Sequence, residues 1–452
     1  MIVEKLKELL GEYVVLTGND IPERARSDAS RTGHQLPLAY LRPRTVEDVS
    51  TALRACNDHR QAVVVQGGLT GLSGGANPHN QSIVIAMELL AGIQEIDTEA
   101  GTMTLLSGTV LEVAQNAAEE NGYLLPIDLG ARGSCQIGGN LATNAGGVRV
   151  INNGMTRDNV LGLEVVLANG TILSSLNRLD KNNSGYDLKQ LFIGSEGTLG
   201  VITRAVIKLR PLPTSRATAL CASNNYDDIL KLLHLARQEL SGLSAFELMW
   251  QSFFQFSSQA MGAKSFDTDY PFALIIEQSS QAPCLEEFLG ARFEEGLITD
   301  ASIAKSEAER ERFWLIREGL ALAELPDLIE YDVSLPIGII DLFVTNVTSQ
   351  LNGEFPSIHI SVFGHMGDSN IHLCISAGFI DGYVKRRITT IIYEHVRQFR
   401  GAISAEHGIG ILKRDYLHYS RNHQEIALMH SIKRTLDPNW ILNPGKIFAA
   451  PT

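Results

Sequence analysis

Two imidazoles and a carboxylate in the C-terminal part of the chain are side chains that can hold a metal ion together. His365 and His372 flank the turn Met366-Gly-Asp-Ser369 between two strand-like segments, and Glu406 follows in a Gly-rich bend after another predicted strand. Two histidines and one carboxylate form a recognised catalytic metal set that leaves coordination positions open for a substrate. A pair of histidines at one turn is modest evidence by itself, so a purely structural role stays open.

Two further side chains of this region can take part in acid–base or anion chemistry. His407 directly follows Glu406 and can serve as a general base. Arg317 lies in a helix predicted to start at Ser306, with Glu309 completing a capping box, and on or beside an apolar face that includes Phe313 and Leu320. A guanidinium in that position requires an anion, which is either a substrate carboxylate or the partner in a structural ion pair.

Glycine-rich stretches occur three times in the N-terminal half, the first in the segment AVVVQGGLTGLSGGA, residues 62–76. A β-branched strand there ends in five glycines, whose backbone N–H groups can turn inward and form a cradle suited to pyrophosphate. A Walker loop would end in Gly-Lys-Ser/Thr, and a Rossmann loop would open a helix. Here a second strand, Ser82 to Met87, is predicted to follow. A plain surface hairpin is the alternative interpretation.

The other two small-residue stretches are Ser134 to Gly147 and Phe192 to Thr203. Such stretches cannot fill a core, so they either turn tightly or let a flat ligand lie against the backbone. Three Gly-rich loops within one predicted domain favour a single extended ligand.

The elements that must position these residues change in character at Pro211 and Pro213, which we interpret as a domain boundary. Before it, the pattern predicts an N-terminal helix, a helix capped by Thr45, a helix from about Leu111 to Asn121, and a hairpin of Gly162 to Ala168 with Thr171 to Ser174. After it, strands at Thr218 to Ser223, Phe272 to Gln278, Ser357 to Phe363 and Ile371 to Ser376 alternate with longer helices, including Gly382 to Arg400. This alternation predicts an α+β sheet.

Composition and charge exclude several classes of function. The 452 residues are 44% hydrophobic with a net charge of −13, which argues against nucleic acid or anionic lipid as a main partner. No apolar run reaches membrane-spanning length. The N-terminal segment resembles neither a signal peptide nor a transit peptide, so we expect a cytoplasmic protein. The five scattered cysteines predict reduced thiols.

Together these motifs resemble the flavin-dependent D-2-hydroxy acid dehydrogenases of the vanillyl-alcohol-oxidase (p-cresol methylhydroxylase type) flavoprotein superfamily, from about Leu38 to Phe448. The resemblance implies an α+β protein with a two-subdomain p-cresol methylhydroxylase-type FAD-binding domain and an α+β substrate or cap domain with an antiparallel sheet. The expected limits are 1–37 for an N-terminal helical segment, 38–213 for the FAD domain, 214–424 for the cap domain with the metal site, and 425–452 for a return to the FAD domain.

The resemblance also implies roles for individual residues. His365, His372 and Glu406 resemble the ligands of a divalent metal, expected to be zinc, His407 resembles the base, and Arg317 is expected to clamp the substrate carboxylate. FAD is expected to be bound without a covalent link, because the Gly-rich loop contains no His or Cys. The residues expected to contact FAD are Gly67, Gly68, Leu69, Thr70, Gly71, Ser73, Gly74, Pro126, Asp128, Gly138, Gly139, Asn140, Thr143, Asn144, Gly146, Gly147, Glu196, Gly197, Gly200, Ile202 and Asn443.

The implied reaction is metal-assisted oxidation of a D-2-hydroxy acid to the 2-keto acid, with hydride transfer to flavin N5. The sequence leaves the electron acceptor and the oligomeric state open, with a quinone or an electron-transfer flavoprotein as candidate acceptors and a homodimer as a candidate assembly. Ala321, Glu330 and Cys374 depart from the substrate set of the D-2-hydroxyglutarate branch, which has Thr, Lys and Asn there, so short or apolar substrates are expected. D-2-hydroxyglutarate as substrate, non-redox chemistry like that of alkyl-dihydroxyacetone-phosphate synthases, and a non-catalytic flavin-binding subunit are the alternatives.

Overall fold

The computed structural model describes residues 1–262, 265–282 and 284–450, which form two compact units. The first unit comprises Met1–Gly147, Gly154–Leu212 and the chain from Glu406 onward, and the second comprises Val148–Asn153 and Pro213–Ala405. The predicted domain limits, 37/38, 213/214 and 424/425, stay a prediction. The chain passes from one unit to the other at 147/148, 153/154, 212/213 and 405/406.

The regular elements of the described residues are numbered along the chain. The α-helices are α1 (Ile2–Leu10), α2 (Val46–Asp58), α3 (Leu111–Glu120), α4 (Ile137–Thr143), α5 (Val150–Asn153), α6 (Lys189–Phe192), α7 (Tyr226–Glu239), α8 (Gln251–Ala260), α9 (Leu285–Glu294), α10 (Glu307–Glu318), α11 (Ile340–Glu354), α12 (Gly382–Gln398) and α13 (His423–Leu436). The strands are β1 (Val15–Leu16), β2 (Ala39–Leu41), β3 (Val63–Gln66), β4 (Ile83–Ala86), β5 (Ile93–Asp97), β6 (Thr102–Leu106), β7 (Tyr123–Leu124), β8 (Val160–Val166), β9 (Ile172–Ser175), β10 (Val201–Lys208), β11 (Arg210–Pro211), β12 (Ser215–Ser223), β13 (Leu243–Trp250), β14 (Phe272–Ser280), β15 (Asp300–Ile303), β16 (Ile329–Ser334), β17 (His359–His365) and β18 (Asn370–Ser376).

The first Gly-rich loop connects two parallel strands of the first unit. Its sheet has the order β1-β2-β4-β3, and both β2 and β3 pair with β4 in parallel. A tight hairpin cannot join parallel strands, so the surface-hairpin alternative is wrong. The predicted helix α2 is confirmed, because the Thr45 side chain accepts from the Asp48 N–H and Asp48 completes the capping box.

The second sheet of the first unit is antiparallel, with the order β5-β6-β10-β8-β9. The predicted hairpin is confirmed as β8 and β9, which pair antiparallel around Asn169-Gly170. The small-residue stretch Ser134 to Gly147 contains a helix that the sequence did not predict. This helix, α4, ends at Asn144, which adopts a left-handed conformation with φ of 50°.

The second unit contains a seven-stranded antiparallel sheet in the order β15-β12-β14-β13-β17-β18-β16. With its helices it confirms the predicted α+β class. The register places Glu247 opposite His365, Phe363 opposite His372, and His372 opposite Asp332, so these side chains share one face of the sheet. Helices α8 and α10 pack on this face through an apolar cluster that includes Phe253, Phe313, Ile316, Met249, Ile275, Phe363 and Cys374.

Candidate functional site

The first unit contains a cavity of about 450 Å³ that is lined by all three Gly-rich stretches. Glu406 and His407 also line it. The predicted cofactor residues along its wall are Gly67, Gly68, Leu69, Thr70, Gly71, Ser73, Gly138, Gly139, Asn140, Thr143, Gly146, Glu196, Gly197, Gly200, Ile202 and Asn443. The structure thus brings together most of the residues that the sequence assigned to one extended ligand.

Five predicted cofactor residues lie outside the cavity wall of the described structure: Gly74, Pro126, Asp128, Asn144 and Gly147. A Cβ atom at Gly147 would lie 2.1 Å from the carbonyl oxygen of Asp128, so these two residues pack closely against each other. The Asn144 side chain accepts a hydrogen bond of 2.9 Å from the Arg157 N–H. Their contact with a cofactor therefore stays a prediction.

The first Gly-rich loop has the backbone of a phosphate cradle. Leu69 has a φ of 60° and Gly74 a φ of 73°, so the chain turns twice through the left-handed region. Among the described residues, no protein acceptor is found for the N–H groups of residues 69–75. Such N–H groups can donate to phosphate oxygens.

Two charged residues outside the predicted set hold this loop. The buried Lys446 ammonium donates to the carbonyl oxygens of Gly74 and Asn77 over 3.0 and 2.6 Å. Burial lowers the pKa of Lys446 to about 8, although Asp28 and Glu196 nearby oppose the shift. Asp28 is buried, lines the cavity and accepts from the Ala76 N–H over 3.3 Å.

The cavity wall fits a large polar ligand such as FAD. The Ser107 hydroxyl and the Gln136 side-chain oxygen are buried in the wall and have no hydrogen-bond partner within the described protein. Buried polar groups are normally paired, so these two atoms indicate a ligand that pairs with them. A Cβ atom at Gly139 would meet nothing within 4 Å, which leaves the start of α4 open to that ligand.

Asn443 connects the strand before the first Gly-rich loop to the third Gly-rich loop. Its side-chain oxygen accepts from the Val65 N–H over 3.0 Å, and its amide nitrogen donates to the Glu196 carbonyl oxygen over 2.6 Å. Asn443 has a φ of 41° and is 4% exposed. Asn443 therefore fixes the spacing of two walls of the cavity.

In the second unit, His365 and His372 lie on neighbouring strands with ring centroids 5.2 Å apart and planes at 86°. The Nδ1 atom of His365 lies 2.8 and 2.9 Å from the two carboxylate oxygens of Glu247, which is 1% exposed. A carboxylate on Nδ1 fixes the tautomer of a histidine and directs Nε2 toward a metal. The Glu247 carboxylate can therefore orient the His365 ring, and a metal held by His365 and His372 stays a prediction.

Arg317 is held by the same carboxylate. Its Nε donates to Glu247 over 2.7 Å, and its guanidinium lies 4.6 Å above the Phe363 ring. Burial alone would raise the pKa of Glu247, but the charges of His365 and Arg317 hold that pKa below its ordinary value. The structure therefore contains the ion pair that the sequence left open as one alternative, and a substrate contact of Arg317 stays a prediction.

Residues 402–405, at the end of the second unit, are fixed by β16. Ser334 and Ala402 exchange two backbone hydrogen bonds of 3.0 and 2.8 Å. The fully buried Asp332 accepts from the Ser404 hydroxyl over 3.2 Å and from the Ala405 N–H over 3.0 Å. The prediction of a strand before Glu406 is wrong, because Ala402 forms an isolated bridge with Ser334 and residues 402–405 form no regular strand.

The three residues that depart from the D-2-hydroxyglutarate branch also belong to the second unit. Glu330 is exposed on β16 and lies directly opposite the buried Cys374 on β18. Burial and the nearby charge of Glu330 raise the pKa of the Cys374 thiol. Ala321 is half-buried in the short 3-10 helix Leu320–Glu324.

Sequence reasoning missed Asp28, Glu247 and Asp332 as contributors. Glu247 occupies an otherwise apolar strand, LSAFELMW, and a charged residue between buried neighbours is an indication of a polar partner. Asp332 shows the same pattern within β16. Asp28 gives no such indication, because its contact with the Gly-rich loop joins residues far apart in the sequence.

Comparisons with known proteins agree with this geometry. Residues 37–175 match the model of an "FAD binding domain", and residues 212–447 match that of "FAD linked oxidases, C-terminal domain". Mitochondrial D-2-hydroxyglutarate dehydrogenase from Arabidopsis thaliana is 38% identical, covering 98% of this chain and 81% of the relative. The chain belongs to the FAD-linked D-2-hydroxy acid dehydrogenase family. The flavoprotein is thus an oxidoreductase acting on CH–OH groups, which confirms the expected family, enzyme class and FAD.

Comparison with a solved structure identifies the fold type. The structure of p-cresol methylhydroxylase with substrate bound superposes with a TM-score of 0.77 at 16% identity, covering 99% of this chain and 96% of that one. This likeness confirms the p-cresol methylhydroxylase-type fold of the flavoprotein.

A putative mitochondrial D-lactate dehydrogenase from Schizosaccharomyces pombe is 40% identical, covering 90% of this chain and 81% of the relative. The expectation of a cytoplasmic flavoprotein is wrong, because the plant and yeast relatives are both named as mitochondrial. The N-terminal composition does not decide the compartment. Within the described part of the chain, no helix has the length and apolarity needed to cross a membrane.

Proposed function

We propose that this flavoprotein oxidises a D-2-hydroxy acid with a short or apolar tail to the corresponding 2-keto acid. The observation that carries the proposal is the cavity of the first unit, in which the three Gly-rich loops share a wall with Glu406 and His407. A base beside a flavin cavity is the arrangement that oxidation of an alcohol requires, because a proton and a hydride must leave the same carbinol group.

Each chemical role in the proposed reaction is assigned to particular residues of the chain. His407 takes the proton of the α-hydroxyl group, and Arg317 meets the substrate carboxylate while Glu247 orients its guanidinium. His365, His372 and Glu406 would hold a divalent metal, for which zinc suits the nitrogen and oxygen donors. Such a metal lowers the pKa of a bound hydroxyl group. Bound FAD supplies the hydride acceptor, and a quinone or an electron-transfer flavoprotein takes up the electrons.

An anaerobic stopped-flow screen tests the proposal. D-lactate, D-2-hydroxybutyrate, D-malate and D-2-hydroxyglutarate are mixed with the FAD-loaded protein, and the loss of flavin absorbance near its visible maximum is followed. Bleaching by a D-acid but not by its L-enantiomer supports the proposal. Absence of bleaching by all four acids contradicts it and favours the non-redox or non-catalytic alternatives.

The mode of flavin attachment gives a first prediction. Acid or heat is expected to release FAD into the supernatant, because the loop from Gly67 to Gly75 has no His or Cys side chain that could form a covalent bond. The measurement is the absorbance spectrum of supernatant and pellet after precipitation. Flavin that remains with the precipitated protein would contradict non-covalent binding.

Substrate choice gives a second prediction. Glu330 reverses the charge of the Lys found there in the D-2-hydroxyglutarate branch, and it shares a sheet face with Cys374 and His372. Two like charges 4 Å apart repel by about 1 kcal/mol in water and about 4 kcal/mol at an effective dielectric of 20. Because Glu330 is exposed, we expect a preference in kcat/KM of at least about fivefold for D-lactate or D-2-hydroxybutyrate over the two diacids.

Two variants at this position separate charge from shape. Glu330→Lys is expected to raise kcat/KM for D-malate and D-2-hydroxyglutarate, and Glu330→Gln is the neutral control. A wild-type preference for either diacid, or no response of the diacids to Glu330→Lys, would contradict a role for Glu330 in substrate choice. A wild-type preference for D-2-hydroxyglutarate would favour that acid as the substrate.

A further inference from the structure

The turn that follows His407, residues Gly408–Gly410, is held from two sides by residues of the Gly-rich loops. On one side, the Ser73 hydroxyl donates to the carbonyl oxygens of His407 and Gly408, the latter over 3.1 Å. On the other side, the two carboxylate oxygens of Glu196 accept from the N–H groups of Ile409 and Gly410 over 2.7 and 2.8 Å.

Ser73 and Glu196 lie so close to this turn that positions 408 and 410 require glycine. Gly408 has a φ of 74°, and a Cβ atom there would lie 2.9 Å from the Glu196 carboxylate. Gly410 has a φ of 53°, and its Cβ would lie 2.1 Å from the Ser73 carbonyl oxygen. The backbone after His407 thus fits between Ser73 and Glu196 in one conformation, which side chains at these positions would not allow.

Glu196 is buried, and its carboxylate accepts hydrogen bonds from the protein backbone. It is 9% exposed and has a φ of 51°, in the left-handed region that few residues other than glycine adopt. Its backbone is fixed as well, since its N–H donates to the Ala142 carbonyl oxygen over 2.7 Å and its own carbonyl oxygen accepts from Asn443. A buried carboxylate in a strained conformation with both oxygens on one turn is a rigid anchor for that turn.

From this geometry we infer that Glu196 is a positioning residue for His407, and that Ser73 completes the same clamp from the opposite side. The inference rests on the proposed role of His407 as the base. A general base must lie within hydrogen-bond reach of the proton that it takes, and a displacement of about 1 Å can cost on the order of 10²-fold in rate. Glu196 would then act on the reaction through the backbone of the turn, without touching the substrate.

The test compares Glu196→Gln with Glu164→Gln, the same substitution at another buried carboxylate of the first unit that does not line the cavity. Glutamine keeps one acceptor oxygen but turns an NH₂ group toward an N–H donor, so one of the two anchoring hydrogen bonds is lost. We expect Glu196→Gln to slow anaerobic flavin reduction by about 10- to 100-fold at saturating substrate, with little change in KM. Glu164→Gln is expected to match the wild type, and the rates of all proteins are compared at saturating FAD after FAD content has been measured.

A second readout needs no substrate. Hydrogen–deuterium exchange of FAD-loaded protein is measured on peptides covering residues 406–412. Loss of the anchor is expected to speed exchange in this segment by at least about tenfold in Glu196→Gln and in Ser73→Ala, and to leave it unchanged in Glu164→Gln. Unchanged exchange in both clamp variants would overturn the inference. Faster exchange with wild-type flavin reduction would also overturn it, because the clamp would then be structural only.

A double variant distinguishes this inference from the proposed function. If Glu196 acts through His407, Glu196→Gln is expected to have no further effect in a His407→Ala background. Multiplying effects of the two substitutions would overturn the positioning role. Wild-type flavin reduction in His407→Ala alone would instead contradict the proposed role of His407 as the base, while the exchange measurement would still decide whether Glu196 holds the turn.

Discussion

Replacement of His407 by alanine is expected to slow anaerobic flavin reduction by on the order of 10²–10⁴-fold, which is the usual contribution of a positioned base. His407 lines the cavity of the first unit, and its carbonyl oxygen is held by the Ser73 hydroxyl. Because that contact is made by the backbone, alanine leaves it in place. The loss is therefore expected to come from the imidazole alone, with FAD still bound.

The measurement is the limiting rate of flavin bleaching at saturating substrate, together with flavin and metal content. His418→Ala is the matched control, since His418 belongs to the same unit, has its ring centroid 4.4 Å from that of Tyr419 and lies outside the cavity wall. A His407→Ala protein that contains FAD and reduces it at the wild-type rate would exclude His407 as the base. Loss of FAD would show that the imidazole supports cofactor binding, and the rate would then be compared at saturating FAD.

The parts of the site that depend on backbone conformation were predictable from the sequence. Glycine is needed wherever the chain turns through the left-handed region or passes close to another backbone, so the stretches at Gly67, Gly138 and Gly197 were recognisable by composition alone. Their meeting in one cavity was predicted from their number. The helix α4 was missed because its sequence, IGGNLAT, has low helix propensity and is stabilised by its surroundings.

The side chains that orient the site were not predictable in the same way. Glu247 acts on His365 across neighbouring strands, and Asp28 acts on the Gly-rich loop across 48 positions of the chain. Contacts of this kind depend on register and topology, which periodicity does not determine. Arg317 shows the same limit, since the sequence predicted an anion beside it and the structure identifies that anion as Glu247.

The helix that carries Arg317 illustrates how boundaries differ from expectation. It begins after Ser306, whose hydroxyl accepts from the Glu309 N–H over 3.2 Å, as predicted. The Glu309 carboxylate instead accepts from the Lys305 N–H, so the capping box is incomplete. The helix ends at Glu318 before a left-handed Gly319, and Leu320, expected on the apolar face, is 66% exposed.

Removal of the metal is expected to abolish flavin reduction while FAD stays bound. His365 and His372 do not line the flavin cavity, and Glu406 lines it outside the three Gly-rich stretches, so removal of the ion leaves the Gly-rich wall intact. Without a metal, the α-hydroxyl group keeps a pKa far above that of an imidazole, and proton transfer to His407 becomes unfavourable. Protein dialysed against a strong chelator is expected to retain its flavin spectrum and to recover bleaching when zinc is added back.

Two histidine variants on strand β17 test whether the loss of activity is specific to a proposed metal ligand. His365→Asn is expected to lose the metal, measured by elemental analysis, together with flavin reduction. His359→Asn is the matched control, since His359 lies on the same strand β17 but has its Nε2 2.8 Å from the Ser361 hydroxyl. Wild-type bleaching by thoroughly metal-free protein would exclude the metal role of His365, His372 and Glu406. Glu247 would then be left as the partner of a protonated His365, which would belong to a buried ion-pair network in which Arg317 is the other cation.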